Sequence, residues 1–251
     1  MSKNRGFDFR LYFTKGAEDG IIYTMDKLQN VIDNYDKVLS EVKTLSPKAT
    51  LVLASKMVDK DVLEGLAAAR PGVIFGENRV QELLSKYFEA PGLTWQFIGR
   101  LQTNKVKYIV DKVSLIQSVD SLRLAEEIER RAAKIGKTMD VLVEVNVGGE
   151  ESKGGVPTED LFALLDQIKT MPHLRLKGLM SVLPAEEEEA LVPLYRQLLE
   201  LYQRVASLQS ENFEVEYLSA GMSGDYAVAL KNGSNMVRIG SKVFGERHYL
   251  T

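Results

Sequence analysis

The stretch Thr50-Leu51-Val52-Leu53-Ala54-Ser55-Lys56 decides how this chain is expected to fold. Its apolar residues have the length and the aliphatic content of a buried strand, and the strand ends abruptly in a serine and a lysine. A parallel α/β sheet or barrel binds ligands at the carboxyl ends of its strands, where a partly desolvated amine can lose its proton and attack a carbonyl. Taken alone, the stretch also fits a lysine that only extends its amine into water. The rest of the chain has to decide between the two interpretations.

Apolar, strand-like runs follow this stretch at regular intervals up to the C-terminus. The runs lie at 50–54, 73–75, 95–98, 115–119, 141–147, 175–182, 215–219 and 236–240. Helix-like segments lie at about 59–69, 77–88, 102–111, 120–135, 158–170, 186–209 and 224–231, and a further one begins at residue 21. Eight strands that alternate with helices predict an α/β protein that forms a single (β/α)8 TIM barrel. An open doubly wound sheet is the alternative, but the turn at 55–58 has none of the glycines with which such a sheet binds a dinucleotide.

The composition argues against several other classes of protein. There is no cysteine, which excludes disulfides and thiolate chemistry, and the two histidines, His173 and His248, lie far apart, so we expect no metal site. A net charge of -3 without a basic stripe predicts no nucleic-acid partner. No apolar run is long enough to span a membrane and no signal peptide is recognisable, so we expect a cytoplasmic protein without membrane contact, with a mitochondrial fraction as the alternative. Residues 1–20 are expected to be a poorly ordered extension, and residues 21–251 the barrel domain.

A (β/α)8 barrel would bring the residues that follow its strands to one mouth. Polar residues lie near the end of each predicted strand or just after it: Lys56, Asn78, Arg100, Asp120, Glu144, Ser181, Ser219 and Arg238. The loops after the last two strands are also rich in small residues, with Gly221, Ser223 and Gly224 in one and Gly240 and Ser241 in the other. Barrels often hold a phosphate between these two loops, because small residues let backbone N–H groups approach the anion. Ordinary turns and helix caps use the same residues, which is the structural alternative.

A phosphate site and a strand-end lysine in one mouth together suggest pyridoxal phosphate as the ligand. Its aldehyde would meet Lys56, and its phosphate would meet the two small-residue loops. Arg238 lies just before the second loop and would face the pyridine nitrogen. The alternative role of Arg238 is a salt bridge across the mouth.

Several longer motifs support the same interpretation. In order along the chain they are Leu53–Lys56, Phe75–Glu82, Trp95–Gly99, Leu101–Lys105, Glu144–Val147, Glu150–Gly154, Gly221–Asp225 and Val237–Ser241. Together they resemble the motifs of the YggS/PROSC family of pyridoxal phosphate homeostasis proteins. Arg100 departs from the family, in which many relatives have histidine or proline at this position.

The resemblance implies a barrel like the N-terminal domain of alanine racemase, in which Lys56 holds the cofactor as a Schiff base. It further implies that Asn78 lies beside the ring and that Arg238 faces the pyridine nitrogen. The remaining cofactor-binding residues would belong to the phosphate site: Ser219, Met222, Ser223, Gly224, Gly240 and Ser241.

We expect a carrier that buffers or delivers pyridoxal phosphate, without robust catalysis. An arginine at the pyridine nitrogen makes a shallower electron sink than a carboxylate would. Racemisation also needs an acid/base group on each face of the ring. Nothing in the sequence places Tyr226 or Tyr249 there, and we expect no counterpart of the C-terminal β domain of alanine racemase. Apoenzymes that depend on pyridoxal phosphate are the expected recipients, and a monomer is the expected state. The alternatives are an amino-acid racemase or lyase that uses the same cofactor, and a cofactor-free aldolase that uses Lys56.

Overall fold

The computed structural model describes residues 18–150 and 154–245, and the predicted alternation of strands and helices is present in it. The strands are β1 Thr50–Ala54, β2 Ile74–Glu77, β3 Thr94–Phe97, β4 Leu115–Val119, β5 Met139–Asn146, β6 Val156–Pro157, β7 Leu174–Met180, β8 Phe213–Ser219 and β9 Met236–Ile239. The helices are α1 Glu18–Leu45, α2 Lys60–Ala69, α3 Val80–Lys86, α4 Leu122–Lys134, α5 Leu161–Ile168, α6 Glu188–Ala206, α7 Tyr226–Lys231 and α8 Ser241–Phe244. The helix predicted at 102–111 is a 3-10 helix, Thr103–Tyr108.

All strands except β6 close into a parallel barrel. Neighbouring strands pair in the order β1-β2-β3-β4-β5-β7-β8-β9, and β9 pairs with β1 to complete the ring. The closed ring confirms the predicted (β/α)8 barrel and excludes the open doubly wound sheet. The short strand β6 pairs with β5 outside the ring. It was not predicted, because a pair of residues carries no periodic signal.

The strands are apolar on both faces because each face packs against its own core. Val52 in β1 belongs to the cluster inside the barrel, whereas its neighbours Leu51 and Leu53 belong to the larger cluster between strands and helices. The interior cluster consists of Val52, Ile98, Leu115, Leu142, Met180 and Met236. Since strand residues alternate in direction, the positions two residues away from these along the same strands also face inward, and several are polar: Gln96, Gln117, Glu144 and Arg238. These inward-facing polar residues can contribute to a binding site at the mouth of the barrel.

The N-terminal end of the described chain is helical. Helix α1 begins at Glu18, so residues 18–20 of the expected extension belong to a helix, and residues 1–17 lie outside the described residues. No helix among the described residues is both long enough and apolar enough to cross a membrane. Within residues 18–150 and 154–245 there is also no group of acidic, histidine or cysteine side chains placed to hold a metal ion.

Gly178 in β7 provides a sharp test of the packing between strands. It has a φ of 137°, and a Cβ atom on it would lie 1.8 Å from the backbone oxygen of Tyr217, its partner on β8. We expect Gly178→Ala to lower the free energy of unfolding by about 2–4 kcal/mol, or to prevent folding, because β7 and β8 would have to separate. Urea denaturation measures the change.

Gly148→Ala is the matched control for this variant. A Cβ atom on Gly148 would make only an ordinary contact with Pro184, at 3.4 Å. The free energy of unfolding should change by no more than about 0.5 kcal/mol. Equal losses in the two variants would contradict the described register of β7 against β8.

Candidate functional site

Lys56 lies half-buried directly after β1, at the mouth formed by the carboxyl ends of the strands. Strand β1 pairs with β9, and Val52 is in register with Arg238. Lys56 therefore stands at the end of the strand next to the one that leads through Arg238 to Gly240. The predicted attachment residue and one of the predicted phosphate loops share the same side of the mouth.

Arg238 is fixed at the floor of the mouth by a chain of hydrogen bonds inside the barrel. It is 4% exposed, and its Nη1 donates to the Oγ of Ser219 at 2.7 Å while its Nη2 donates to the backbone oxygen of Ser181 at 2.9 Å. Ser219 Oγ donates to Gln117 Oε1 at 2.6 Å, and Gln117 Nε2 donates to Gln96 Oε1 at 2.6 Å. The orientation of the guanidinium is therefore set by the protein itself.

The mouth carries a permanent positive charge at Arg238. Burial lowers the pKa of its guanidinium, while the charges of Glu144 and Asp225 act in the opposite direction. An arginine stays protonated in proteins, so the charge persists. Ser219, predicted as a phosphate ligand, is fully buried, and its hydroxyl is engaged with Gln117 and Arg238. This placement supports a role in orienting Arg238, and a contact of Ser219 with a phosphate stays a prediction.

The two small-residue loops contact each other at the mouth. The backbone N–H of Gly240 donates to Ser223 Oγ at 3.2 Å, and the backbone N–H of Arg238 donates to the oxygen of Gly221 at 3.0 Å. Gly221 has a φ of 100°, and a Cβ atom on it would lie 2.5 Å from a side-chain atom of α7, so only glycine fits this turn. Helix α8 begins at Ser241, and the first N–H groups of a helix have no acceptor within it. Hydroxyl and backbone donors from both loops thus come together.

Asp225 makes the first of these loops rigid. Its Oδ1 accepts the backbone N–H of Met222 at 2.7 Å, and its Oδ2 accepts the hydroxyl of Tyr195. Burial and the hydrogen bond to Asp225 raise the pKa of Tyr195 far above its usual value, so the phenol stays a donor. Met222 is 40% exposed, and no atom lies within 4 Å of the place a Cβ would take on Gly224. The loop therefore presents an open face beside Ser223 on a rigid frame.

Asn78 reaches the mouth from the end of β2. Its backbone N–H donates to Glu77 Oε1 at 2.9 Å. Gly99, after β3, allows a close approach at this point, because a Cβ atom on it would lie 2.3 Å from the backbone oxygen of Asn78. The loop after β3 consequently lies directly against Asn78 and places the exposed Arg100 beside it. The residue that departs from the family pattern is thus a neighbour of the predicted ring contact.

A buried ion cluster that was not predicted from the sequence lies under the turn that follows β1. Lys86 Nζ lies 2.8 Å from Glu82 Oε2 and 3.3 Å from Oε2 of the fully buried Glu77, and we call this the Glu77–Lys86–Glu82 cluster. Ser55 Oγ donates to Glu77 Oε2 at 2.8 Å, and the backbone N–H of Met57 donates to Glu82 Oε2 at 2.8 Å. Burial opposes ionisation of Glu82, but the hydrogen bonds from Lys86 and Met57 outweigh it and hold the pKa of this carboxyl below its usual value.

Glu144, which the sequence placed at a strand end without assigning it a role, brings a carboxyl to the mouth. It lies on β5, across the ring from β1, and is only 7% exposed. Burial and the charge of Asp120 raise its pKa to about 7, although Arg238 and Arg100 act in the opposite direction. This carboxyl can hold or release a proton near neutral pH.

Comparison with known proteins identifies the family. The chain matches the family described as the alanine racemase N-terminal domain over residues 25–248. A pyridoxal phosphate homeostasis protein of Aquifex aeolicus is 44% identical over 228 residues, which is 89% of this chain and 98% of the relative. Another, of Haemophilus influenzae, is 33% identical over 237 residues, with 88% of this chain and 98% of the relative covered. This chain belongs to the pyridoxal phosphate homeostasis protein family.

Solved structures support the assignment to the pyridoxal phosphate homeostasis protein family. PipY of Synechococcus elongatus, solved with pyridoxal phosphate bound, has a TM-score of 0.77 and 30% identity, and the match covers 86% of this chain and 100% of PipY. An alanine racemase of Clostridium difficile has a TM-score of 0.70 at 16% identity, and the match covers 90% of this chain and 57% of the racemase. At this identity the match supports the fold alone. The family resemblance inferred from the sequence motifs is confirmed.

The acid/base groups of this homeostasis-family barrel differ from those considered from the sequence. Tyr226 donates its hydroxyl to Glu41 on α1, and burial together with that carboxylate raises its pKa to about 12. Tyr249 lies outside the described residues. Glu144 is the carboxyl that the described mouth offers instead. Its sequence signal was its spacing from Leu142, which puts both residues on the inward face of β5.

The raised pKa of Glu144 predicts a pH-dependent stability. Folding raises the pKa of this carboxyl from 4.5 to about 7, so the folded state binds the proton more tightly, and the resulting stability is present at low pH and lost as the pH rises through about 7. Glu144→Gln should therefore stabilise the cofactor-free protein at about pH 8 by up to about 3 kcal/mol and have little effect at about pH 5. Urea denaturation at both pH values measures the difference.

Glu211→Gln, which changes an exposed residue before β8, is the matched control and should show no gain that depends on pH. If Glu144→Gln changed stability by the same amount at both pH values, the assignment of a near-neutral pKa to Glu144 would be wrong.

Proposed function

We propose that this chain binds pyridoxal phosphate and serves its homeostasis in the cell, holding the cofactor on Lys56 and buffering or delivering it. The observation that carries the proposal is the contact of Gly240 N–H with Ser223 Oγ, which joins the two small-residue loops beside the strand that leads to Lys56. An amine, a set of donors suited to a phosphate and a fixed guanidinium are thereby gathered on neighbouring strands. The name of the Aquifex relative and the ligand of PipY support the same cofactor.

The described residues fit the three groups by which such a cofactor is held. Lys56 supplies the primary amine that an aldehyde requires. The hydroxyls of Ser223 and Ser241, with the backbone around Gly240, supply donors for a phosphate. Arg238 supplies a donor for the pyridine nitrogen, because a guanidinium has N–H groups and no acceptor.

The remaining predicted residues shape the proposed site. Asn78 lines it beside the ring, and Met222 and Gly224 form the open face of the first phosphate loop. Ser219 acts through Arg238, to which its hydroxyl is hydrogen-bonded. Each of these residues stands at the carboxyl end of a strand, where barrels bind their ligands.

The mouth is suited to holding the cofactor more than to driving turnover. When bound, the cofactor supplies an aldehyde that joins an amine reversibly and a ring that withdraws electrons. Arg238 keeps its own proton and would donate a hydrogen bond to the ring nitrogen, which would leave that nitrogen unprotonated and limit the electron withdrawal. These properties support the proposed role as a carrier.

We further propose that the carrier is a cytoplasmic monomer with one barrel domain, residues 21–251. The recipients would be apoenzymes that depend on pyridoxal phosphate. The homeostasis role named for the relatives supports a part in supply of the cofactor. A reactive aldehyde that is held on one lysine is also kept from other amines in the cell.

Reduction with borohydride tests the attachment to Lys56. After incubation with pyridoxal phosphate, the wild-type chain should carry a reduced cofactor on Lys56, because borohydride converts the reversible bond into a permanent one. Lys56→Ala should lose this adduct. Intact-mass and peptide mass spectrometry measure both outcomes.

Lys60→Ala removes an exposed lysine at the start of α2 and is the matched control, in which the adduct should persist. If Lys56→Ala carried as much reduced cofactor as the wild-type chain, the proposal would be wrong.

A further inference from the structure

The turn next to Lys56 has an unfavourable backbone conformation. Met57, directly after Lys56, has a φ of 60° and is the single described residue other than glycine with a positive φ. A left-handed conformation costs free energy in a residue with a side chain, because Cβ comes too close to the following carbonyl oxygen. Packing offsets little of this cost, since Met57 is 44% exposed. Such a conformation persists only where surrounding contacts enforce it.

The Glu77–Lys86–Glu82 cluster contacts this turn on both sides of the attachment lysine. On one side, Ser55 donates its hydroxyl to Glu77 at 2.8 Å, and its backbone oxygen accepts from Lys86 Nζ at 3.0 Å. On the other side, Glu82 accepts the backbone N–H of Met57 at 2.8 Å. Lys86 links the two sides, because its Nζ contacts both carboxylates. The two residues that flank the lysine are thus held by one set of charges.

Stability alone is a weak reason for such a cluster. Glu77 is fully buried and Lys86 is 8% exposed, so both charges are largely removed from water, and their mutual attraction returns only part of that cost. The cluster also forms hydrogen bonds with backbone groups of Ser55 and Met57, the two neighbours of Lys56. Packing between β2 and α3 would not require those contacts.

We propose that Glu82 and Lys86 are positioning residues, which hold the left-handed turn at Met57 and thereby direct the amine of Lys56 into the mouth. The inference rests on the proposed function, in which Lys56 takes up an aldehyde. Neither Glu82 nor Lys86 contacts the aldehyde, and both act through the backbone on either side of Lys56. The rate at which Lys56 joins an aldehyde therefore depends on an ion cluster between β2 and α3.

Hydrogen exchange of the Met57 backbone N–H tests the turn in the cofactor-free chain. Glu82→Ala removes the acceptor of this N–H and should speed its exchange about tenfold, because the turn opens more often. Glu82→Gln keeps a side-chain oxygen at the same place and should retain most of the protection. NMR measures the exchange rate of this amide. Equal exchange rates in Glu82→Ala and the wild-type chain would overturn the proposal.

The reactivity of Lys56 is measured with pyridoxal phosphate and with formaldehyde as separate probes. With each probe, the amine and the aldehyde join with loss of water, and added cyanoborohydride reduces the product to a stable amine that mass spectrometry locates. Glu82→Ala should slow the reaction at Lys56 about tenfold with both probes, equivalent to ~1.4 kcal/mol. Glu82→Gln should react at close to the wild-type rate.

Met57→Gly in the Glu82→Ala background separates positioning from stability. Glycine adopts a positive φ without steric cost. The double variant should therefore regain most of the lost rate at Lys56. Its melting temperature should stay low, because the ammonium of Lys86 still lacks the Glu82 carboxylate.

Asp140→Ala is the control for a general loss of stability. It breaks the 2.6 Å ion pair with Arg175 at the other end of the barrel, and should lower the melting temperature without slowing Lys56. If the rate at Lys56 simply followed the melting temperature through all variants, the cluster would be structural and the proposal wrong. A wild-type chain whose Lys56 reacts with formaldehyde and not with pyridoxal phosphate would overturn the proposed function instead, while the positioning of Lys56 would stand.

Discussion

Strand β9 pairs with β1 through four residue pairs that end at Leu53 and Ile239, and this pairing closes the barrel. The closure brings the end of β1, which Lys56 follows, beside the end of β9, which Gly240 follows, although these are the first and the last strand of the barrel. It also turns Arg238 inward, where the hydrogen-bond chain through the barrel interior can hold it. The proposed attachment, the proposed ring-nitrogen contact and the second phosphate loop depend on this one pairing, because Lys56, Arg238 and the Gly240–Ser241 loop lie on or directly after these two strands.

Closing the barrel also places charged groups where water is scarce. The hydrogen bonds that Arg238 donates to Ser219 Oγ and to the backbone oxygen of Ser181 offset the cost of its burial, which would otherwise amount to several kcal/mol. The same scarcity of water raises the pKa of Glu144 to about 7. The mouth thus combines a permanent cation with a carboxyl whose charge changes near neutral pH. Uptake and release at Lys56 would take place in this electrostatic setting.

The sequence was sufficient for the barrel, because parallel strands that are covered on both faces are apolar throughout, and β1 and β4 match their predicted bounds residue by residue. The order of the strand ends then brought Lys56 and Arg238 to one mouth. Contacts between distant parts of the chain could not be predicted from the sequence. Neighbouring strands determine the burial that raises the pKa of Glu144, and they also supply the partners of Ser219. The helix at Thr103–Tyr108 was predicted without its 3-10 type, because a segment of this length has the same apolar spacing as an α-helix. The ion cluster did leave one visible signal, the i,i+4 spacing of Glu82 and Lys86.

A crystal structure of this chain with pyridoxal phosphate tests the central claim most directly. The account predicts continuous electron density from Lys56 Nζ to the cofactor, a phosphate between Ser223 and Ser241, and a ring nitrogen that faces Arg238. A cofactor joined to another lysine, or a phosphate that lies away from both small-residue loops, would contradict it.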